Sequence, residues 1–136
     1  MVTFIITYDG ALRCSATHGP SGTALVTDAP KDNHGRGESF SPTDLIATSL
    51  ATCVLTTMAI LTRNDGLALE GIRAEVEKHM TTTPPRRIAR IVVRLAMPRG
   101  IPVAAREKLQ KVAHACPVAL SLHPDIAQEI SLVYPD

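Results

Sequence analysis

The chain has 136 residues, with 14 Lys plus Arg against 13 Asp plus Glu, 45 % hydrophobic and 20 % charged residues. That length and composition fit one domain, residues 1–136, able to bury its own core, and exclude a disordered chain. A net charge of +1 and an aromatic set of two Phe, two Tyr and no Trp exclude the basic patch and stacking platform of a nucleic-acid binder.

Residues 2–8 (VTFIITY) are a β-rich run that meets Asp9-Gly10, a tight-turn dipeptide, and residues 12–18 (LRCSATH) follow as its hairpin partner. After the turn at Gly19-Pro20-Ser21-Gly22, residues 23–27 complete a three-stranded meander. Residues 28–40 (DAPKDNHGRGESF) are polar and rich in turn formers, a loop long enough to carry function.

Ser41-Pro42-Thr43-Asp44 then reads as a helix start: Ser at the N-cap, Pro at the first helical position, and Asp where a capping box needs an acid. The helix runs to about Asn64, before Asp65-Gly66. Between Asp44 and Arg63 it carries no charge, and its apolar residues fall on every face, so it is either a membrane span or the buried central helix of a core. The uncharged stretch of about 18 residues is at the lower limit for a span. Six of those residues are Ser or Thr, and the capped start belongs in water. A buried helix in a protein without membrane contact is expected.

From Gly71 to Met80 apolar and charged residues alternate, as they do from Arg87 to Ala96, predicting a second antiparallel pair. The arginines Arg86, Arg87, Arg90 and Arg94 are expected on its solvated face. Pro102 opens a second helix with an apolar stripe of Val103, Leu109, Val112 and Ala113, ending at Cys116 where Pro117 breaks it. A short helical turn around Val118–Leu122 and a closing strand over residues 129–134 follow. The order is βββ-α-ββ-α-β, an α+β fold. A helix about 33 Å long is hard to cover with two small sheets, so a homodimer with a shared core is expected.

Cys14, Cys53 and Cys116 are 39 and 63 residues apart, which matches neither zinc-ligand spacing nor a secreted disulfide framework. The first ten residues lack the basic start and cleavage site of a secretory signal. A reducing, cytoplasmic setting is expected. His114 and Cys116, two positions apart on a helix, point away from each other, and His18, His34, His79 and His123 have no ligand spacing. No metal or other cofactor is expected.

Ser41-Pro42-Thr43-Asp44-Leu45, Cys53 on the same helix, and Cys116-Pro117-Val118 some sixty residues later together resemble the OsmC/Ohr superfamily, over nearly the whole chain. The resemblance implies an OsmC-like fold in an intertwined homodimer with two sites at the subunit interface. It also implies a thiol peroxidase for organic hydroperoxides, restored by a dithiol reductant, which is a lipoyl protein in the hydroperoxide reductase branch. Carried over by position, Cys53 is the peroxidatic thiolate and Cys116 the resolving thiol. Cys14 has no counterpart and reads as a packing residue.

Cys53 lies about three turns into its helix, beyond the reach of the macrodipole, and burial alone would raise its pKa. A cation must therefore approach it. In the hydroperoxide reductases an Arg from the N-terminal strands does so, held by a Glu at the helix opening. Arg13 is the nearest positional match and Arg36 its rival. Thr43 stands where those enzymes have the Glu, leaving Asp44 and Glu38 as the nearest acids. Asp44 sits about 13 Å from Cys53 along an ideal helix and half a turn round. The competing readings are a redox-sensing or apolar-ligand-binding dimer without efficient peroxidase activity, and a thiol–disulfide oxidoreductase.

Overall fold

A computed structural model describes residues 1–136. The chain divides into two compact units, residues 1–46 and 47–136.

The first unit is an antiparallel meander of β1 (Phe4–Gly10), β2 (Arg13–His18) and β3 (Ala24–Asp28). The hairpin tip lies two residues later than the sequence suggests. Asp9 and Gly10 belong to the end of β1, where the register shifts, and Gly10 pairs with Arg13 across a two-residue loop. Ala11 and Leu12 form that loop at φ 54° and 63°. The strand twist selects a turn with two left-handed residues, and here two ordinary residues occupy it at a local cost. The Tyr8 hydroxyl accepts the Leu12 N–H at 3.3 Å and helps hold the turn.

Residues 29–41 are irregular but ordered by their own backbone bonds. The loop includes a single 3-10 turn at Lys31–Asn33, and the amides of Gly35 and Gly37 donate to Pro30 and Ala29 carbonyls at 3.0 and 3.2 Å. A Cβ at Gly35 would fall 1.7 Å from the Ala29 carbonyl oxygen, so only glycine fits there. The loop ends in the predicted capping box. Ser41 Oγ accepts the Asp44 N–H at 3.1 Å, and Asp44 Oδ2 accepts the Ser41 N–H at 2.9 Å. Two helix-end donors are thereby satisfied reciprocally, and α1 (Pro42–Leu61) begins.

In the second unit, α1 packs over a sheet of β4 (Arg73–Met80), β5 (Ile88–Ala96) and β6 (Ala127–Val133), in the order β4-β5-β6. β4 and β5 are antiparallel. β5 and β6 are parallel, because the chain returns through a helical crossover formed by α2 (Val103–Ala113) and α3 (Pro117–Ser121). The core gathers Leu50, Val54 and Met58 of α1, Ile91, Val93 and Leu95 of β5, and Leu109, Ala113 and Cys116. All nine side chains are fully buried. The alternating outer face carries the basic residues, paired with acids: Arg94 with Glu77 at 2.7 Å and Arg90 with Glu129 at 2.9 Å.

By length and composition α1 is apolar enough to cross a membrane. Within the chain it buries one stripe, Ala47, Leu50, Ala51, Val54 and Met58, the spacing of a single helix face. Ile46, Ile60 and Leu61 are exposed. Thr52 and Thr56 of α1, and Thr62 just past its end, return their hydroxyls to the carbonyls four residues back at 2.8–3.0 Å.

α2 stops three residues before Cys116, earlier than the sequence suggests. His114 and Ala115 close it with short i−3 bonds. Pro117 disfavours helical backbone at the residue before it, so Cys116 is extended (φ −72°, ψ 146°) and caps α3 instead of ending α2.

Candidate active site

The site is built on two elements of the second unit. α1 supplies Cys53, half-buried beside the core stripe, and the entry to α3 supplies Cys116, fully buried; both thiols are free. As the N-cap residue of α3, Cys116 accepts the Ala119 N–H on its Sγ at 3.3 Å. Pro117 has no N–H to offer, so Val118 provides the first amide of the helix, and that amide favours the ionised form of both sulfurs.

Thr57, one helical turn on, places its Oγ1 3.8 Å from Cys53 Sγ, and the neighbouring Cys116 thiol also acts on Cys53. Burial pushes the Cys53 thiol up, but the bonds from Val118, Cys116 and Thr57 favour the thiolate and bring it below the ordinary thiol value. Cys116 moves the other way. Burial raises it, the Ala119 amide only partly opposes this, and its bond to Cys53 and the charge on that sulfur raise it further. The pair is asymmetric: the half-buried sulfur ionises more readily than an ordinary thiol and the buried one less readily.

The other predicted residues lie in the first unit. Arg13, at the start of β2, faces Asp28 across the β2–β3 pair. Its Nη1 lies 3.5 Å from Asp28 Oδ2 and 3.1 Å from Glu38 Oε2. Asp28 is 1 % exposed, takes a second bond from the Glu38 N–H at 3.0 Å, and has no partner for Oδ1. Asp44 is engaged in the capping box. Arg36 is exposed on the loop. Cys14 lines an apolar cavity of about 440 Å³ with Phe4, Ile6, Ala16 and Leu25. No group of three or more His, Cys, Asp or Glu side chains is placed to hold a metal ion.

Thr57, the Val118 amide and Asp28 join the residues expected from the sequence. Thr57 was accessible from its i+4 spacing to Cys53, and Val118 from the missing N–H of Pro117. Asp28 becomes visible only once the strand register is known.

A half-buried cysteine on a helix beside a buried one at a Cys-Pro turn, in an α+β chain with two three-stranded sheets, defines a protein with a paired-cysteine site. The chain matches the OsmC-like protein family over residues 35–131 and belongs to it. A protein of Psychrobacter arcticus 273-4, named for osmotic stress induction and a detoxification response, is 42 % identical, superposes with a TM-score of 0.92, and is matched over 98 % of this chain and 96 % of its own. The fold is shared with the organic hydroperoxide resistance protein OsmC of Legionella pneumophila, at 17 % identity and TM-score 0.76 over 97 % of this chain and 96 % of that one. An organic hydroperoxide resistance protein of Elizabethkingia anophelis also shares it, at 12 % identity and TM-score 0.77 over 98 % and 96 %. No functionally curated protein matches the chain.

Proposed function

We propose that this chain is a thiol peroxidase that reduces organic hydroperoxides, with Cys53 as the peroxidatic and Cys116 as the resolving residue. The observation that carries the reading is the meeting of two free cysteines at one place in the fold, a half-buried Cys53 on α1 and a fully buried Cys116 at the Cys-Pro turn, and the lowered Cys53 and raised Cys116 thiols accord with it. Membership in a family with organic hydroperoxide resistance proteins among its folds supports a role in redox stress.

In this reading the Cys53 thiolate attacks the distal oxygen of ROOH. The O–O bond breaks, sulfur is oxidised to the sulfenic acid, and the alkoxide takes a proton from solvent to leave as ROH. The Cys116 sulfur then attacks the sulfenic sulfur, and hydroxide departs with the Cys116 proton as water, leaving the Cys53–Cys116 disulfide. A dithiol reductant opens it by two exchange steps, returning two electrons and two protons and leaving as its own disulfide. A reducing compartment such as the cytoplasm supplies such dithiols. Arg13, with Arg36 as its rival, is the nearest positional match to the cation of the hydroperoxide reductases, and in the single chain its guanidinium pairs with Asp28 and Glu38.

The working form in this reading is a homodimer. Phe4, Ile5, Ile6 and Tyr8 of β1 are 54–68 % exposed in the single chain, and neighbouring strand residues face opposite ways. Both faces of the first sheet therefore carry apolar surface that a second copy would cover.

Turnover with a lipoyl dithiol tests the activity. Cumene hydroperoxide should drive dithiol oxidation faster than hydrogen peroxide, and Cys53→Ser should abolish it. Absence of turnover with either peroxide, alongside persisting exchange with a small disulfide, would make the chain a thiol–disulfide oxidoreductase instead.

A further inference from the structure

We propose that Thr57 is a catalytic residue of this site, its hydroxyl donating to the Cys53 sulfur and stabilising the thiolate before attack. The proposal deepens the peroxidase reading and rests on Cys53 being the reacting sulfur.

Thr52 and Thr56 of α1, and Thr62 just past its end, return their hydroxyls to the carbonyl four residues back. This is the ordinary way for a helical threonine to satisfy its donor. Thr57 does not. Its partner is Cys53 Sγ at 3.8 Å, a long contact suited to the larger radius of sulfur. A hydroxyl that forgoes a carbonyl for a neutral thiol accepts a weak partner. Against a thiolate it makes a charge-assisted bond, roughly twice as strong as a neutral one. The side chain is half-buried, so water screens that bond incompletely.

The position matters as much as the chemistry. Cys53 lies too far along α1 to draw on the helix N-terminus, and a thiolate in an apolar helix face needs donors from nearby. Thr57 places its hydroxyl there from α1 itself, and the Val118 amide at the start of α3 adds to it. Thr57 carries no charge and keeps its proton at neutral pH. It thus acts as a fixed dipole, stabilising charge on sulfur without competing for the substrate's proton.

The test is the rate of Cys53 alkylation by iodoacetamide as a function of pH, in a Cys14→Ser background, with labelled residues located by peptide mass. Thr57→Val keeps shape and removes the donor; Thr57→Ser keeps the donor. The valine variant should react about three- to ten-fold more slowly at pH 7, with the midpoint of its rate–pH profile moved upward and the high-pH plateau at or above that of the parent. The serine variant should restore the parent profile. A Thr57→Val profile superimposable on the parent would overturn the proposal, as would a uniform rate loss at all pH values that serine does not rescue. Alkylation needs no peroxide, so this result is independent of whether turnover is observed.

Discussion

Cys53 of α1 and Cys116 at the entry to α3 act on each other in opposite senses: Cys116 favours the ionised form of Cys53, and Cys53 opposes ionisation of Cys116. Cys116 also takes the Ala119 N–H at 3.3 Å, and the Val118 amide favours ionisation of both sulfurs. The difference lies in what remains: Thr57 sits 3.8 Å from Cys53 Sγ, whereas Cys116 is fully buried. The roles of the two thiols should therefore not be interchangeable. With one equivalent of organic hydroperoxide, Cys116→Ser should accumulate a Cys53 sulfenic acid that a dimedone probe captures, at close to the parent rate of oxidation. Cys53→Ser should leave Cys116 reduced. Equal reactivity of the two variants would remove the distinction.

The reciprocal bonds of Ser41 and Asp44 make a separate claim about stability. Ser41→Ala should lower the unfolding free energy by about 1 kcal/mol, read as a shifted urea midpoint with unchanged m-value. Ser41→Asn should recover most of the loss, because Asn also caps well.

On the outer face of the second sheet, Arg94 and His79 hold the Glu77 carboxyl down at about 2 from its ordinary 4.5. A depressed carboxylate contributes stability that is present above the unfolded value and lost as pH falls through the folded one. The acid limb of the stability curve, between about pH 4.5 and 2, should flatten in Glu77→Gln. The effect should be small and should shrink in added salt, since the pair is solvent-exposed. An unchanged acid limb would show the ion pair to be energetically silent.

Burial argues for a second copy. Ile5 and Ile6 are adjacent on β1, point to opposite faces of its sheet, and are 68 % and 61 % exposed in one chain. Light scattering should give twice the chain mass, and Ile5→Glu or Ile6→Glu should shift the population towards monomer or aggregate. A monomer of the parent protein at micromolar concentration would contradict the dimer.

What could be read from the sequence was whatever local chemistry decides. Ser41-Pro42-Thr43-Asp44 specifies its helix start through four neighbouring residues, and the structure has that cap with both bonds made. The β1–β2 tip was misplaced by two residues because Ala11 and Leu12 adopt left-handed backbone that their identities do not advertise. The end of α2 was misplaced because Pro117 acts backwards, pushing Cys116 into an extended conformation and costing the helix its last turn. Cys53 and Cys116 were found by pattern, and their proximity depends on α3 folding back to α1, which no local signal encodes. Asp28 was invisible for a related reason. Its role against Arg13 exists only through the pairing of β2 with β3.

The most direct test of the central claim is the intact mass and free-thiol count of the reduced protein after one equivalent of cumene hydroperoxide, beside hydrogen peroxide and beside Cys53→Ser. The account predicts rapid loss of two thiols and of the mass of two hydrogen atoms, with Cys53 and Cys116 in one disulfide-linked peptide pair. The change should be faster with the organic peroxide and absent in the variant. Thiols that stay reduced for minutes would contradict it.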